Sequence, residues 1–309
     1  MEHVLITGGA GFVGSNLARR LLAGGTKVTL LDNYSNAKKG DLKSETDCLD
    51  VDLANEGWIT QISDQNFSAV VHCAAQASNA KSFEDPFGDL SSNQLSTLNV
   101  LKFCKLKKVK RLVFTSTMSA YGDTDIYPTP PTQPLKPQSF YAVHKVASEN
   151  YIRLSSDLDW TIFRLFTTYG GGQNLENKQQ GLVKIFLSYI LRGENVEVHG
   201  SGDRVRDIIH VDDVARALEM SIKSPATFQQ TYNLGSGQTI TIDEIIKRLA
   251  LQLTGSTDYP VDYLDGDVGD PFRTHADISS CFKDFGWKAT IAPLEGIDRT
   301  AEYYIKERI

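Results

Sequence analysis

Short apolar runs alternate with longer amphipathic segments along this 309-residue chain. The apolar runs predict six strands, at about residues 3–7, 27–31, 69–74, 111–116, 160–166 and 231–234. The amphipathic segments predict four helices, near residues 12–24, 88–107, 139–155 and 212–223. Strands that alternate with helices in this way are typical of a parallel sheet covered by helices on both faces. The pattern therefore predicts an α/β fold with a doubly wound sheet.

A glycine-rich turn, Gly8-Gly9-Ala10-Gly11-Phe12-Val13-Gly14, joins the first predicted strand to the first predicted helix. Gly8 allows the tight turn, Gly11 lets the backbone come close to phosphate groups, and Gly14 lets the helix pack on the strand. The second predicted strand ends at Asp32, whose carboxylate can bind the ribose hydroxyls of an adenosine. Its charge would repel a 2′-phosphate, and no arginine follows at once. The motif therefore predicts NAD rather than NADP.

Tyr141 and Lys145 stand four residues apart on the third predicted helix, so both project from one helical face. A nearby cation favours the phenolate, which can then take part in proton transfer. The strand before this helix ends in Thr117, and ligands of doubly wound sheets bind beyond the carboxyl ends of the strands. We therefore predict that Thr117, Tyr141 and Lys145 form the catalytic set. The long proline-rich segment 127–137 is expected to lie near this site.

Net charge and cysteine spacing exclude several classes of protein. The net charge is −6, so no basic surface for nucleic acid is expected. The four cysteines are scattered without a CxxC pair, which argues against a metal site, a redox pair or a disulfide framework. No apolar run approaches the roughly 18 residues of a membrane span, and no signal peptide precedes the first strand. A cytoplasmic enzyme without membrane partners is expected.

With these motifs, the chain resembles the extended short-chain dehydrogenase/reductases, and among them the nucleotide-sugar epimerases and dehydratases. The resemblance covers essentially the whole chain and is carried by ordered landmarks beyond the glycine turn and the catalytic helix. These landmarks are Asp50-Val51-Asp52-Leu53, His72-Cys73-Ala74-Ala75, Asn99, Ser116-Thr117, Tyr121-Gly122, residues 164–170, residues 200–213, residues 232–235 and residues 273–277.

The resemblance implies a Rossmann-type NAD-binding domain and a smaller nucleotide-sugar-binding domain, interleaved with it towards the C-terminus. No linker or repeat divides the chain, which agrees with interleaving. Helices 88–107 and 139–155 would pair across a homodimer interface. The expected boundaries are 1–170 with 206–235 for the first domain, and 171–205 with 236–309 for the second.

The glycine motif and the resemblance together assign the site residues. For the cofactor they are Gly8, Gly11, Phe12, Val13, Asp32, Asn33, Asp52, Leu53, Ala74, Ala75 and Lys145. For the substrate they are Thr117, Tyr141, Thr167, Arg206 and Arg273. The resemblance implies that the two arginines hold the nucleotide diphosphate, and the charge and planar fork of arginine suit phosphate oxygens. Arg204 is expected to be a solvated surface residue, and His72 a structural one.

Two departures from the family pattern bear on the reaction. Many relatives carry asparagine where this chain has Thr167, so the usual contact to the nucleotide sugar is altered there. The 4,6-dehydratases carry Asp-Glu where this chain has Met118-Ser119, and the uronate decarboxylases usually carry Glu at the position of Ser119. Because both carboxylates are missing, the resemblance favours an NAD-dependent 4-epimerase of the UDP-glucose/galactose type.

Other functions remain open from the sequence. Thr167 is compatible with a uronate-handling site, so a UDP-glucuronate epimerase or decarboxylase is the main alternative. A nucleotide-sugar dehydratase, a reductase that consumes NADH, and a cofactor-bound regulatory protein are further alternatives. The nucleotide base, the sugar, and inversion at C4 rather than C2 are not determined by the sequence.

Overall fold

The computed structural model describes residues 2–37, 46–62, 65–177, 179–266 and 271–307. The strands are β1 His3–Thr7, β2 Lys27–Asp32, β3 Asp47–Asp50, β4 Ala69–His72, β5 Arg111–Thr117, β6 Asp159–Leu165, β7 Thr167–Tyr169, β8 Val196–His199, β9 Val205–Arg206, β10 Ile208–His210, β11 Gln230–Leu234, β12 Ile240–Thr241 and β13 Val261–Leu264. The helices are α1 Phe12–Ala23, α2 Trp58–Gln61, α3 Asn79–Glu84, α4 Pro86–Leu90, α5 Ser96–Lys107, α6 Phe140–Leu154, α7 Leu182–Arg192, α8 Val211–Lys223, α9 Ile242–Thr254, α10 Ser279–Phe285 and α11 Pro293–Glu307. A π-helical turn, Ser91–Leu95, joins α4 to α5, and 3₁₀ turns cover Met118–Tyr121 and Pro225–Thr227.

Among the described residues, seven parallel strands form the main sheet, in the order β3-β2-β1-β4-β5-β6-β11. The chain proceeds outward from β1 to β3 and then returns to the other side of β1 with β4. Ligands of such sheets bind where the strand order reverses, beyond the carboxyl ends of the strands. The turn after β1 and the loop after β4 meet at this point. The predicted doubly wound sheet is confirmed.

The six predicted strands all belong to this sheet, and their bounds differ from the observed ones by at most two residues. The four predicted helices are also present, the second as the continuous helical run formed by α4, the π-helical turn and α5. β3 was not predicted, because four residues with aspartate at both ends carry little apolar pattern. Helices α7, α9 and α11 of the C-terminal half were not predicted either.

Two apolar cores cover the two faces of the main sheet, because successive side chains of a strand point to opposite faces. Ile6 of β1 faces a core that contains Leu17 of α1 and Leu218 of α8. Its neighbour Leu5 faces the opposite core, with Phe103 of α5 and Ile152 of α6. Helices therefore cover both faces, as the alternating pattern predicts.

A third core lies outside the main sheet. It is built by α7, α9 and α11 with the small sheets, and it includes Leu187, Leu249 and Ile297. The segment around α10 does not join this core: Trp287 packs into the core formed by α1 and α8. Its indole Nε1–H donates to the backbone carbonyl of Asp213 at 3.1 Å. Across the described part of the chain, no helix combines the length and apolar content that a bilayer crossing requires.

Candidate active site

A cleft of about 1750 Å³ runs along the carboxyl ends of the central strands of the main sheet. It is lined by every predicted cofactor and substrate residue except Arg273: Gly8, Gly11, Phe12, Val13, Asp32, Asn33, Asp52, Leu53, Ala74, Ala75, Thr117, Tyr141, Lys145, Thr167 and Arg206. Arg273 lines an adjoining pocket of about 70 Å³, which shares Met118 and Phe166 with the cleft. The fold thus gathers residues from most of the chain at one site.

The glycine turn packs directly against the loop that follows β4. Gly8 has a φ of +64°, and a Cβ placed there would lie 2.6 Å from the backbone nitrogen of Ala74. A Cβ on Gly14 would lie 2.2 Å from the Gly8 carbonyl oxygen. No side chain caps the N-terminus of the 12-residue helix α1, which begins after Gly11. Its first backbone N–H groups can therefore bind an anion that enters the cleft.

The Asp32 carboxylate joins this turn to the loop after β2. Its Oδ2 accepts a hydrogen bond from the Ala10 backbone N–H at 3.0 Å, and its Oδ1 accepts one from the Tyr34 backbone N–H at 2.8 Å. An ionised carboxylate has about four acceptor positions, so capacity remains for hydroxyl donors. Asp32 can therefore hold the turn in place and bind a ribose as well.

The loop that carries Asp52 and Leu53 is held by helix α5. The side-chain amide of Asn99 donates to the carbonyls of Leu53 and Ala54, at 2.9 Å and 3.1 Å. This contact gives Asn99 a positioning function for the wall of the cleft.

His72 has the structural surroundings that the sequence predicts. Its Nδ1 is hydrogen-bonded to the Thr7 hydroxyl at 2.6 Å, and its Nε2 to the Thr97 hydroxyl at 3.0 Å. Burial, aided by the charge of Lys145, lowers the pKa of His72 to about 3. The imidazole is therefore neutral at physiological pH and is occupied by core contacts.

Thr117, Tyr141 and Lys145 line the same cleft, Thr117 from the end of β5 and the other two from the first turns of α6. The hydroxyl of Ser139 caps this helix by accepting a hydrogen bond from the Ala142 backbone N–H at 3.1 Å. The cap fixes the first turn and with it the direction of the Tyr141 side chain.

Burial controls the pKa values of both titratable groups in this set. It raises the pKa of Tyr141 to about 12, although a hydrogen bond with Thr117 acts in the opposite direction. It lowers the pKa of Lys145 to about 8. The Lys145 Nζ lies 4.0 Å from the centroid of the Phe114 ring. In the protein without cofactor, burial of the phenol therefore outweighs the effects that favour the phenolate.

The two predicted phosphate-binding arginines come from paired segments. A β-bridge joins Val205 to Arg273, which places Arg273 beside the strand that carries Arg206. Arg206 is buried and donates from Nη1 to the carbonyls of Val205 and Phe272, at 3.0 Å and 3.1 Å. Arg273 is exposed, and its guanidinium carbon lies 5.0 Å from the centroid of the Tyr127 ring.

The expectation that Arg204 is a solvated surface residue is wrong. Its side chain is buried, and its Nε donates to the Ser201 carbonyl at 2.9 Å. The proline-rich segment does reach the site, because Thr129 lines the small pocket and its backbone pairs with that of His275 and Asp277.

Sequence reasoning missed several polar residues that line the cleft, among them Gln76 and Lys184. Gln76 follows Ala75 directly, so its position in the chain was a usable signal. Lys184 of α7 lies in an element that was not predicted; burial lowers its pKa to about 8, and its ammonium donates to the Asn174 carbonyl at 3.1 Å. In the described parts of the chain, no three His, Cys, Asp or Glu side chains are grouped to hold a metal ion.

The model of the NAD dependent epimerase/dehydratase family matches residues 4–235. That range contains the glycine turn, Thr117 and the helix with Tyr141 and Lys145. The chain belongs to this family. Among its relatives in the family, the UDP-glucose 4-epimerase of Mycolicibacterium smegmatis is 32% identical over 316 residues, which cover 98% of each chain.

Solved structures of family members have the same architecture. The UDP-glucose 4-epimerase of Thermotoga maritima with UDP-glucose superposes with a TM-score of 0.94 at 32% identity, covering 99% of this chain and all of that one. The Thermus thermophilus UDP-glucose 4-epimerase complex with NAD gives a TM-score of 0.90 at 31% identity, covering 98% of this chain and 99% of that one.

Proposed function

We propose that this chain is an NAD-dependent nucleotide-sugar 4-epimerase that acts on UDP-sugars of the glucose/galactose type. The observation that carries the proposal is the cleft, which holds Thr117, Tyr141 and Lys145 beside the glycine turn, with Met118 and Ser119 directly after Thr117. The carboxylates that a dehydratase needs are absent from these two positions. The similarity to UDP-glucose 4-epimerases over the full length of the chain supports the same interpretation.

The described residues fit NAD. The glycine turn leaves no room for side chains, the N-terminus of α1 has no side-chain cap, and Asp32 has free acceptor capacity. We propose that the cofactor is held by Gly8, Gly11, Phe12, Val13, Asp32, Asn33, Asp52, Leu53, Ala74, Ala75 and Lys145. When bound, NAD supplies a reversible hydride acceptor and a positive charge on its nicotinamide ring.

Tyr141 is proposed to accept the proton of the sugar 4-hydroxyl and to return it later in the reaction. Thr117 donates a hydrogen bond to the same oxygen and stabilises the charge that develops there. Lys145 keeps a positive charge beside this group and orients the cofactor ribose. The pKa of Tyr141, which burial raises to about 12, must fall before the phenol can act near neutral pH. Proton transfer is therefore expected only in the cofactor-loaded protein.

Arg206 and Arg273 are proposed to bind the nucleotide diphosphate, with Thr167 at the sugar. The β-bridge at Arg273 keeps the two guanidinium groups on adjoining segments, which suits a diphosphate with its two neighbouring charges. While the diphosphate stays bound, the smaller sugar ring can turn over, so that hydrogen returns to the other face of C4.

We also propose the domain division 1–170 with 206–235 for the cofactor, and 171–205 with 236–309 for the nucleotide sugar. The separate core of α7, α9 and α11 supports it. The segment around Trp287 lies within the second of these ranges and packs against the core of the first. None of the four cysteines forms a disulfide within the described part of the chain, which agrees with a cytoplasmic location.

A homodimer is proposed from the apolar faces of α4, α5 and α6. Phe87 is 82% exposed, and Leu98, Phe140 and Val143 are each more than 40% exposed on these neighbouring helices. Exposed large apolar side chains on neighbouring helices are typical of a protein interface. Light scattering should give a dimer mass for the wild type and a monomer mass for Leu98→Glu. A monomeric wild type contradicts this part of the proposal.

Isotope labelling tests the reaction type. UDP-glucose deuterated at C4 should give a C4-inverted product that retains the deuterium and has the same mass, without added NADH and without a lasting rise at 340 nm. A product that is lighter by water or carbon dioxide overturns the epimerase proposal and leaves the fold and family unaffected. UDP-glucuronate is the second substrate to test, because of Thr167.

A further inference from the structure

A buried histidine–aspartate pair joins the predicted catalytic helix α6 to α4. His144 precedes Lys145 on α6, and its Nδ1 is hydrogen-bonded to Oδ2 of Asp89 on α4 at 2.6 Å. Asp89 is 1% exposed and His144 is 6% exposed. A charged group this deeply buried must be paired, so the contact fixes α6 against α4.

The second oxygen of Asp89 extends this contact to the wall of the cleft. It accepts a hydrogen bond from the Gln76 side-chain amide at 2.6 Å. The side-chain oxygen Oε1 of Gln76 accepts the Ser78 backbone N–H at 2.6 Å, and the side-chain Nε2–H of Gln76 donates to the Ser78 backbone carbonyl at 2.8 Å. The loop after β4, which carries Ala74 and Ala75, is thereby tied to the helix that carries Tyr141 and Lys145.

The Asp89 charge also acts on both titratable groups of the helix. It raises the pKa of Tyr141 in addition to the larger effect of burial, and it raises the pKa of Lys145 against the larger lowering by burial. The other groups that act electrostatically on Lys145 are Cys73, from the loop after β4, and Glu149, from α6, and both raise its pKa. Asp89 acts from α4, on the side where His144 pairs with it.

We propose that the His144–Asp89 pair is a positioning pair for the active site, which fixes the Tyr141 and Lys145 face of α6 against the cofactor loop and sets the charge beside both groups. Neither residue lines the cleft, so the pair acts through Tyr141 and Lys145. The consequence for turnover rests on the proposed function. The effect on Lys145 does not.

Four variants separate charge, hydrogen bonding and stability. Asp89→Asn keeps the shape and removes the charge. His144→Leu removes the hydrogen bond, and His144→Asn returns a donor near the position of Nδ1. Asp85→Asn is the matched control, because Asp85 is an exposed carboxylate at the start of α4 that accepts the Gly88 backbone N–H at 2.9 Å. Asparagine caps a helix as well as aspartate does.

The first readout is independent of turnover. NMR titration of ¹³C-labelled lysine ε-carbons, with Lys145 assigned by its loss in Lys145→Met, should show a lower pKa for Lys145 in Asp89→Asn by roughly half a unit. Asp85→Asn should leave this titration unchanged. If the two Asp→Asn variants titrate alike, the proposal is overturned, whether or not the protein is an epimerase.

The second readout is epimerisation of UDP-glucose. Asp89→Asn should shift the acid limb of the kcat profile to lower pH, since Tyr141 loses its proton more readily. His144→Leu should lower kcat by about ten- to a hundredfold, as expected for a displaced reacting group, with KM changed less than about twofold. His144→Asn should recover most of kcat. Equal impairment in both His144 variants, or full activity in His144→Leu, contradicts a positioning function. An inactive wild type refutes the proposed function alone.

Discussion

Arg164 donates two parallel hydrogen bonds to the carboxylate of Glu149, from Nε to Oε1 at 2.9 Å and from Nη2 to Oε2 at 2.7 Å. Glu149 follows Lys145 by one turn of α6, and Arg164 lies on β6. The Ser116 hydroxyl of β5 donates to the same carboxylate at 2.5 Å. The Glu149 carboxylate therefore anchors the helix that carries Tyr141 on two strands of the sheet. It is held on β6 by the buried charge pair with Arg164 and on β5 by the hydrogen bond from Ser116.

Removal of one partner should destabilise the protein strongly. Burial acts to raise the pKa of Glu149, but the Arg164 hydrogen bonds and charge outweigh it and the pKa is lowered. Glu149→Gln leaves Arg164 buried without a countercharge, so the free energy of unfolding should fall by about 3–5 kcal/mol. Urea unfolding measures this change. Glu295→Gln, in the exposed pair with Arg299, is the control and should cost less than about 1 kcal/mol.

Tyr141→Phe should abolish epimerisation while NAD binding stays close to that of the wild type. The substitution removes the proposed proton acceptor and keeps the buried ring, so the loss should reach several orders of magnitude in kcat. Steady-state kinetics and calorimetric titration with NAD measure the two effects. Substantial turnover in this variant would exclude Tyr141 as the acid–base group.

Asp32 should make the protein bind NAD far better than NADP. The carboxylate already accepts the Ala10 and Tyr34 backbone N–H groups, so it is fixed where the ribose is expected and repels a 2′-phosphate. Asp32→Ser should weaken NAD binding and reduce the preference over NADP. Equal affinities for the two nucleotides in the wild-type protein would refute this assignment.

Arg273→Ala should weaken UDP-sugar binding by about 1.5–3 kcal/mol, the range for a lost hydrogen bond to a charged group. Because Arg273 is exposed, the free energy of unfolding should change little. Arg273→Lys, which keeps the charge and loses the planar fork, should give an intermediate affinity. Arg206→Ala should weaken UDP-sugar binding similarly but, since Arg206 is buried, should also reduce stability. Unchanged affinity in both alanine variants would show that neither arginine binds the diphosphate.

Lys145 should make the protein more stable as the pH rises from 7 to 9.5. Burial lowers its pKa from an ordinary 10.5 to about 8, so the unfolded chain binds more protons than the folded chain between these values. Lys145 by itself then contributes an increase of about 2 kcal/mol in the free energy of unfolding over this interval. Burial also lowers the pKa of Lys184 to about 8, so the measurement is the difference between two proteins: urea unfolding at the two pH values should show an increment about 2 kcal/mol smaller in Lys145→Met than in the wild type. An equal increment in the variant would assign the effect to other groups.

The central strands, the glycine turn and the helix that carries Tyr141 and Lys145 could be predicted from the sequence. Each of these depends on residues that are close in the chain, so that local periodicity and backbone freedom fix them before any tertiary contact forms. Asp32 was predictable for the same reason, since it ends an apolar strand at a set distance from the turn. The interleaved second domain, which the absence of a linker favours, stays a prediction.

The contacts between distant segments, and the environments that they create, could not be predicted from the sequence. His144 meets Asp89 from 55 residues away, and β3 exists because its backbone pairs with β2. The buried position of Arg204 and the raised pKa of Tyr141 belong to the same class. Both depend on how completely water is excluded, and that is a property of the packed elements together. The local pattern of apolar and polar residues therefore does not predict how far a given side chain is excluded from water.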